Sequence, residues 1–282
     1  MNAPLHHVGI VTGGRSSDQA DELAVKIREW LTARGIIVRA VDNDHDRETL
    51  DLGPGPLDLL LVLGGDGTML GVARKIRGQP IPLLGINFGT LGFLTEGCPS
   101  AWRELLENVF SGRYSISERV LLEFRVFRED WVVHQGSVVN ELVINRGTMA
   151  KLIRINLWYG SDHLGAIRAD GLIVSTPTGS TGYSVSAGGP IVYPELDVFV
   201  VTPICPFLHA FRPMVLPFKE PLRFIPEEEG PYYLTQDGQA GFYMQDGDVV
   251  EVRRARARLL LIRPEQAAFA AKLKAKGFIR GA

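Results

Sequence analysis

A chain of 282 residues, 45% of them hydrophobic, carries enough apolar material to bury one large core or two moderate ones. Its 30 basic and 32 acidic residues are scattered and leave a formal charge of −2, which offers no field for DNA, RNA or an anionic bilayer. A small-molecule substrate is the expected partner. Cys98 and Cys205 fit neither zinc nor CxxC spacing and read as reduced thiols. No run approaches the ~18 apolar residues of a membrane span. Met1 to Leu5 lack the pattern of a secretory signal, so the expected compartment is the cytoplasm.

The N-terminal third alternates strand and helix. Val8 to Val11 is a short apolar run, and Ser17 is placed to cap a helix whose apolar residues Ala20, Leu23, Ala24, Ile27 and Leu31 recur at helical spacing before Gly35. Three more apolar runs follow, Ile36 to Val41, Leu57 to Leu63 and Ile81 to Ile86, each of the kind buried in a parallel sheet. The order predicts a doubly wound α/β domain with its ligand at the ends of strands. From about Ser115 the pattern changes to short β-branched runs: Val120 to Phe127, Trp131 to Val133, Glu141 to Ile144, Leu152 to Tyr159, Leu172 to Ser175, Val198 to Thr202 and Val249 to Val252. A mainly antiparallel, β-rich C-terminal domain over 115–263 is expected after an α/β domain over 1–114, which the helical tail 264–282 rejoins. Arg253, Arg254, Arg256 and Arg258 read as a solvated strand face, with an anion-facing or subunit-facing patch as the other reading.

Two constellations carry chemistry. Gly64-Gly65-Asp66-Gly67-Thr68 follows an apolar strand and precedes a helical stretch, Met69 to Ile76. Such a turn lets phosphates approach backbone N–H groups closely. A carboxylate at that spot is unfavourable for passive anion binding, so Asp66 reads as a metal ligand or as a base for an attacking hydroxyl; the plainer reading is a helix N-cap. There is no GxxxxGK[ST] and no GxGxxG after a strand, which excludes a Walker-A nucleotidase and disfavours a dinucleotide-binding dehydrogenase. The nearby Asn87-Phe88-Gly89-Thr90-Leu91-Gly92-Phe93 alone reads as an ordinary turn with two core aromatics. The second constellation runs from Arg168-Ala169-Asp170-Gly171 through a short strand to Ser175-Thr176-Pro177-Thr178-Gly179-Ser180-Thr181-Gly182-Tyr183. Five hydroxyls without a Lys or Arg among them describe a neutral cradle for sugar hydroxyls and phosphate oxygens, or else a polar surface loop. Asn140-Glu141 and Asp237-Gly238-Gln239 read on their own as turns. The six histidines show no metal spacing and read as structural.

Taken together, GGDGT (64–68), NFGTLGF (87–93), Asn140-Glu141, DGLIVSTPTGSTGYSVSAGGP (170–190), Thr202-Pro203-Ile204 leading to Phe211-Arg212-Pro213, and DGQ (237–239) resemble the NAD kinase family. The matches keep the family order from about Val8 to Val252, and the TPTGSTGY…SAGGP block is highly specific, whereas GGDG is shared with lipid and phosphofructo kinases. The resemblance implies an active site between an α/β and a β-rich domain, NAD and ATP as substrates, and a divalent metal, Mg²⁺, bridging the phosphates. It implies Asp66 as the base or metal-linked activator for the ribose 2′-hydroxyl, with Gly65, Gly67, Thr68 and Phe93 around the ligand. Asn140, Glu141, Lys151, Arg168 and Asp170 fall at nucleotide-binding positions. Thr178, Thr181, Gly182, Tyr183 and Ser186 would line the NAD site, with Gln239 turned toward the ligand. The resemblance implies no protein ligand to the metal other than Asp66.

One position departs from the family. Where relatives often carry a histidine after Pro-Ile-x-Pro, this chain has Cys205-Pro206-Phe207, with a histidine only at His209, so no role for that histidine is carried over. The rival readings are a kinase for a lipid or sugar hydroxyl and a non-catalytic NADP(H) sensor. A homodimer or homotetramer is expected from the strand-rich second half.

Overall fold

A computed structural model of the chain describes residues 5–13, 18–44, 47, 49–76, 78–90, 92–146, 152–207, 211–227, 231–264 and 269–279. Ser17, Leu91, Lys151 and His209 lie outside them. The chain divides into two compact units, one of residues 1–118 with 259–282 and the other of residues 119–258.

The first unit is built from β1 (His7–Thr12), α1 (Asp18–Thr32), β2 (Ile37–Val41), β3 (Leu59–Leu63), α2 (Asp66–Lys75), β4 (Leu83–Ile86) and α3 (Trp102–Phe110), joined by the end of β16 (Val249–Pro264) and by α5 (Phe269–Ala275). Strands run in the order β2-β1-β3-β4, all parallel, and Leu261 of β16 extends the sheet by pairing parallel with Leu83. Every residue of β3 and β4 is buried, which is why they read as unbroken apolar runs. Ala20, Leu23, Ile27 and Leu31 of α1 and Trp102, Leu105, Leu106 and Val109 of α3 share one core with Val8, Ile10, Leu61, Leu84 and Ile86. The space a Cβ would fill at Gly85, which alternates with Leu84 and Ile86, is taken by Thr95 and by Met69 of α2. Helices therefore cover both faces, as a doubly wound sheet requires.

The second unit holds β5 (Tyr114–Arg128, from Arg119 on), β6 (Trp131–Val138), β7 (Glu141–Arg146), β8 (Ile153–Tyr159), β9 (Asp162–Ala169), β10 (Gly171–Ser175), a 3₁₀ turn (Thr178–Thr181), α4 (Tyr183–Ser186), β11 (Val198–Ile204), β12 (Met214–Pro217), β13 (Leu222–Pro226), β14 (Tyr232–Gln236), β15 (Ala240–Met244) and the first part of β16. One antiparallel sheet runs β12-β11-β10-β7-β14-β15. Facing it are β16, β13, β8 and β9, also antiparallel, with the hairpin of β5 and β6. A single core made of Phe124, Leu142, Ile155, Leu172, Phe199, Phe224, Tyr232 and their neighbours lies between these layers. Of the β16 arginines named above, Arg253, Arg254 and Arg256 are exposed and Arg258 is half-buried; Arg253 pairs with Glu251, and Arg254 and Arg258 pair with Asp197.

Candidate active site

In the first unit two loops leave neighbouring parallel strands on the same edge of the sheet. The Gly64–Thr68 turn follows β3 and the Asn87–Phe93 segment follows β4; because β3 and β4 pair, the Gly64 N–H reaches the Ile86 carbonyl at 2.9 Å. This is the edge where open α/β sheets place their ligands. Helix α2 starts at Asp66 itself, three residues before the expected Met69, with Gly65 as its N-cap and no side-chain capping bond. Asp66 is thus not an N-cap. Its half-buried carboxylate turns across to the neighbouring loop, where the Phe93 N–H donates to Oδ2 at 2.7 Å and the Leu94 N–H to Oδ1 at 3.1 Å. Two charge-assisted bonds fix its direction and leave each oxygen a further acceptor site.

The close approach accounts for Gly92, since a Cβ there would coincide with the Asp66 carboxylate. Thr68 turns inward, under Gly64 and Gly13, so it shapes the turn, while Gly67 is exposed at its crest. Beneath Phe93 sits a buried cation: Lys272 of α5 donates to the carbonyls of Phe93 (3.1 Å) and Thr95 (2.9 Å) and to Glu96 (2.8 Å). Burial pulls its ammonium below the usual lysine range, and Glu96 opposes that pull.

In the second unit, Asp237 organises the other polar cluster. With φ of 50° and its side chain buried, it accepts the backbone N–H groups of Val139 (3.0 Å), Asn140 (2.7 Å) and Glu141 (3.1 Å). The DGQ hairpin therefore holds the Asn-Glu turn through its aspartate; Gln239, the member singled out from sequence, is exposed, and its N–H closes the turn on Gln236 at 2.9 Å. The Asn140 carbonyl in turn accepts the Thr176 N–H (2.8 Å) and the Ser175 hydroxyl (3.1 Å), tying the turn to the start of the hydroxyl-rich loop.

That loop is less open than its composition implies. Ser175, Thr176, Ser180 and Ser184 are fully buried, with hydroxyls donated to the carbonyls of Asn140, Val139 and Pro177 or shared with Thr202. They hold the loop's own fold together. What remains outward is Tyr183, 45% exposed, with Ser186 exposed and Thr181 and Gly182 half-buried. Two buried atoms beside this rim, Glu141 Oε2 and Thr178 Oγ1, have no hydrogen-bond partner. Orphaned polar atoms are costly and are expected where a ligand supplies the missing partner. Arg168 and Asp170 are exposed on and after β9, and the Arg168 guanidinium stands 5.3 Å over the Phe207 ring, the residue at the departing position.

Burial first and the nearby Asp237 charge second push the Glu141 carboxyl up to about 7, against the Tyr183 N–H, which favours the charged form. The native chain then keeps a proton that the unfolded chain releases between its ordinary 4.5 and about 7, so this group's contribution to stability falls as pH rises through that window and levels off above it. In the ligand-free protein, Glu141→Gln should gain stability over the parent between pH 4.5 and 7, by up to about 3 kcal/mol at the upper end. Urea unfolding of both proteins across the range checks this, and a difference that does not change with pH contradicts it.

Among the described residues no three His, Cys, Asp or Glu side chains gather as a metal-binding group. His134 is stacked on Phe242 at 4.4 Å and bonded to Gln236 at 2.9 Å, a structural role. No described helix is long and apolar enough to cross a membrane.

Comparison with known proteins matches residues 37–114 to the ATP-NAD kinase N-terminal domain and residues 139–264 to the ATP-NAD kinase C-terminal domain. Over 281 residues the chain is 48% identical to the NAD kinase of Nitratidesulfovibrio vulgaris (strain Miyazaki F), covering 99% of each. It is 44% identical to the NAD kinase of Oleidesulfovibrio alaskensis over 99% of this chain and 96% of that one. Among solved structures, an NAD kinase from Archaeoglobus fulgidus in complex with ATP superimposes with a TM-score of 0.74 at 26% identity, covering 95% of this chain and 99% of that one. Yeast NADH kinase complexed with NADH shares the fold, with a TM-score of 0.86 at 24% identity over 99% of this chain and 89% of that one. Two domain matches covering most of the sequence and relatives aligned from end to end agree with the Asp66 turn and the Asn-Glu cluster: the chain belongs to the ATP-NAD kinase family.

Proposed function

We propose that the chain is an NAD kinase in which Asp66 takes the proton of the adenosine-ribose 2′-hydroxyl of NAD as that oxygen attacks the γ-phosphorus of ATP. The 2′-O–P bond forms, the bond from the γ-phosphorus to its bridging oxygen breaks, and ADP and NADP leave. The observation that carries this is the Asp66 carboxylate, held by two backbone N–H groups at the start of a ten-residue helix. The glycine turn suits phosphate, since Gly65 and Gly67 let a ligand approach the positive end of α2. Among the described residues no metal-binding group of His, Cys, Asp or Glu gathers, so Asp66 would suit a Mg²⁺ ion brought by ATP better than an all-protein cage would. When bound, that ion neutralises charge on the phosphates; positioning is the protein's larger share of the work.

In the second unit, Asn140, Glu141 and Thr178 present polar atoms to the nucleotide, and Thr181, Gly182, Tyr183 and Ser186 form the rim against which NAD lies. Lys151, Arg168, Asp170 and Gln239 complete the nucleotide contacts in this reading, and Thr68 and Phe93 support the Asp66 turn. The exposed free thiols of Cys98 and Cys205 fit a reducing, cytoplasmic setting. The edge strand β15, with Tyr243 70% exposed, fits assembly into a homodimer or homotetramer.

The test is direct. Purified protein with ATP, Mg²⁺ and NAD should form NADP, read by an NADP-specific dehydrogenase, and should leave lipids and free sugars unphosphorylated. A folded protein that makes no NADP, or that prefers a lipid or sugar acceptor, sinks the reading. Tyr183→Ala should raise the KM for NAD roughly five- to tenfold, the value of one stacked ring, and the KM for ATP by less. The reverse order counts against Tyr183 as the NAD platform.

A further inference from the structure

Three contacts converge on Phe93 from the C-terminal segment. Its carbonyl accepts the Lys272 ammonium at 3.1 Å, and its ring packs against Phe269 and Phe278 with centroids 6.3 and 5.9 Å away. The neighbouring loop residues are held from the same side, with Thr95 and Glu96 bonded to Lys272 and Thr90 reached by Lys276 at 3.5 Å. Lys272 and Glu96 are almost completely buried, their side chains 8% and 4% exposed, so this is a committed ion pair inside the unit and not a surface one. On its opposite side the same residue, Phe93, donates its N–H to Asp66.

From this geometry we infer that Lys272 is a positioning residue for phosphoryl transfer: by binding the carbonyl of the Phe93–Leu94 peptide, whose N–H donates to Asp66 Oδ1, it holds the loop that fixes the Asp66 carboxylate, with Phe269 and Phe278 as the apolar part of the same clamp. The inference rests on Asp66 being the base. An ion-paired lysine holding up a helix would serve equally as a fold element, so the two roles have to be separated by their coupling to Asp66. If Lys272 acts only through the direction of that carboxylate, its loss matters while the carboxylate is present and ceases to matter once the carboxylate is gone.

The experiment is a double-mutant cycle on the full chain, with kcat and both KM values measured for the parent, Lys272→Met, Asp66→Asn and the double variant, and with melting curves to confirm folding. Lys272→Met is expected to lower kcat on the order of tenfold to a hundredfold, the scale of a catalytic group displaced by about an ångström, with both KM values within about twofold. In the Asp66→Asn background the same substitution should change kcat by less than about twofold. Equal losses in both backgrounds, or unchanged kcat in a folded Lys272→Met protein, overturn the inference while leaving Asp66 as base intact. An Asp66→Asn protein with near-parental kcat overturns the base itself. Should Lys272→Met fail to fold, Phe278→Ala, which leaves the ion pair in place, goes through the same cycle: a kcat loss that vanishes without the Asp66 carboxylate supports the clamp, and an equal loss in both backgrounds, or none, overturns it.

Discussion

Asp66→Asn should give a folded protein whose kcat is lower by roughly 100-fold or more, the usual range for a lost general base, with small changes in both KM values. The amide cannot reproduce the anchor: whichever way it turns, its NH₂ faces one of the N–H groups of Phe93 and Leu94 that now donate to the carboxylate. One bond is lost, and a destabilisation of about 1 kcal/mol is expected alongside the kinetic effect. That cost is too small to unfold a chain with two extensive cores, so the kinetics can be read on intact protein. Turnover close to the parent in a folded variant would remove the base assignment.

The second large effect is expected at Gly92, which touches no substrate in the proposed mechanism. A methyl group at Gly92 needs the space that the Asp66 carboxylate occupies, so in Gly92→Ala the carboxylate must swing away or the loop must lift and break both anchoring bonds. Gly92 is not among the glycines of positive φ, so the variant carries a packing penalty of about 1–3 kcal/mol without backbone strain. Because a misplaced base is nearly as poor as none, kcat should fall by about 100-fold, with a melting temperature lowered by only a few degrees. Steady-state kinetics with a parallel thermal melt decides it; a normal kcat would mean that the direction of Asp66 is unimportant.

Much of this architecture is legible in the residues. The apolar runs of β1, β3 and β4 and the helical spacing of α1 are direct readings of burial on two faces and on one. Helix α3 is missing from the elements expected from sequence, although Trp102, Leu105, Leu106 and Val109 fall at helical spacing and carry a usable signal. Strand β9 is hidden for a physical reason: it is largely solvent-facing, and a segment such as DHLGAIRA lacks the apolar alternation of a half-buried strand.

At the site, the chemistry of Asp66 follows from a carboxylate set in a glycine turn. Its partners do not, because Phe93 and Leu94 are 27 and 28 residues away and meet it only through the pairing of β3 with β4. The hydroxyl-rich loop shows the converse difficulty. Its composition suggests a polar surface, yet four of its hydroxyls are consumed in folding the loop, and only burial separates those from the rim of Thr181, Tyr183 and Ser186. Asp237 does not stand out in the sequence because a buried turn aspartate and an exposed one look alike until the three N–H groups it accepts are seen.

A crystal structure of the protein with NAD bound tests the central claim most directly, by the distance from the adenosine-ribose 2′-oxygen to Asp66. A carboxylate oxygen about 2.6–3.2 Å from it, or joined to it by one water, is the predicted result. NAD bound with its 2′-oxygen turned to solvent or to another side chain, and Asp66 still bonded to Phe93 and Leu94 out of its reach, would contradict the account.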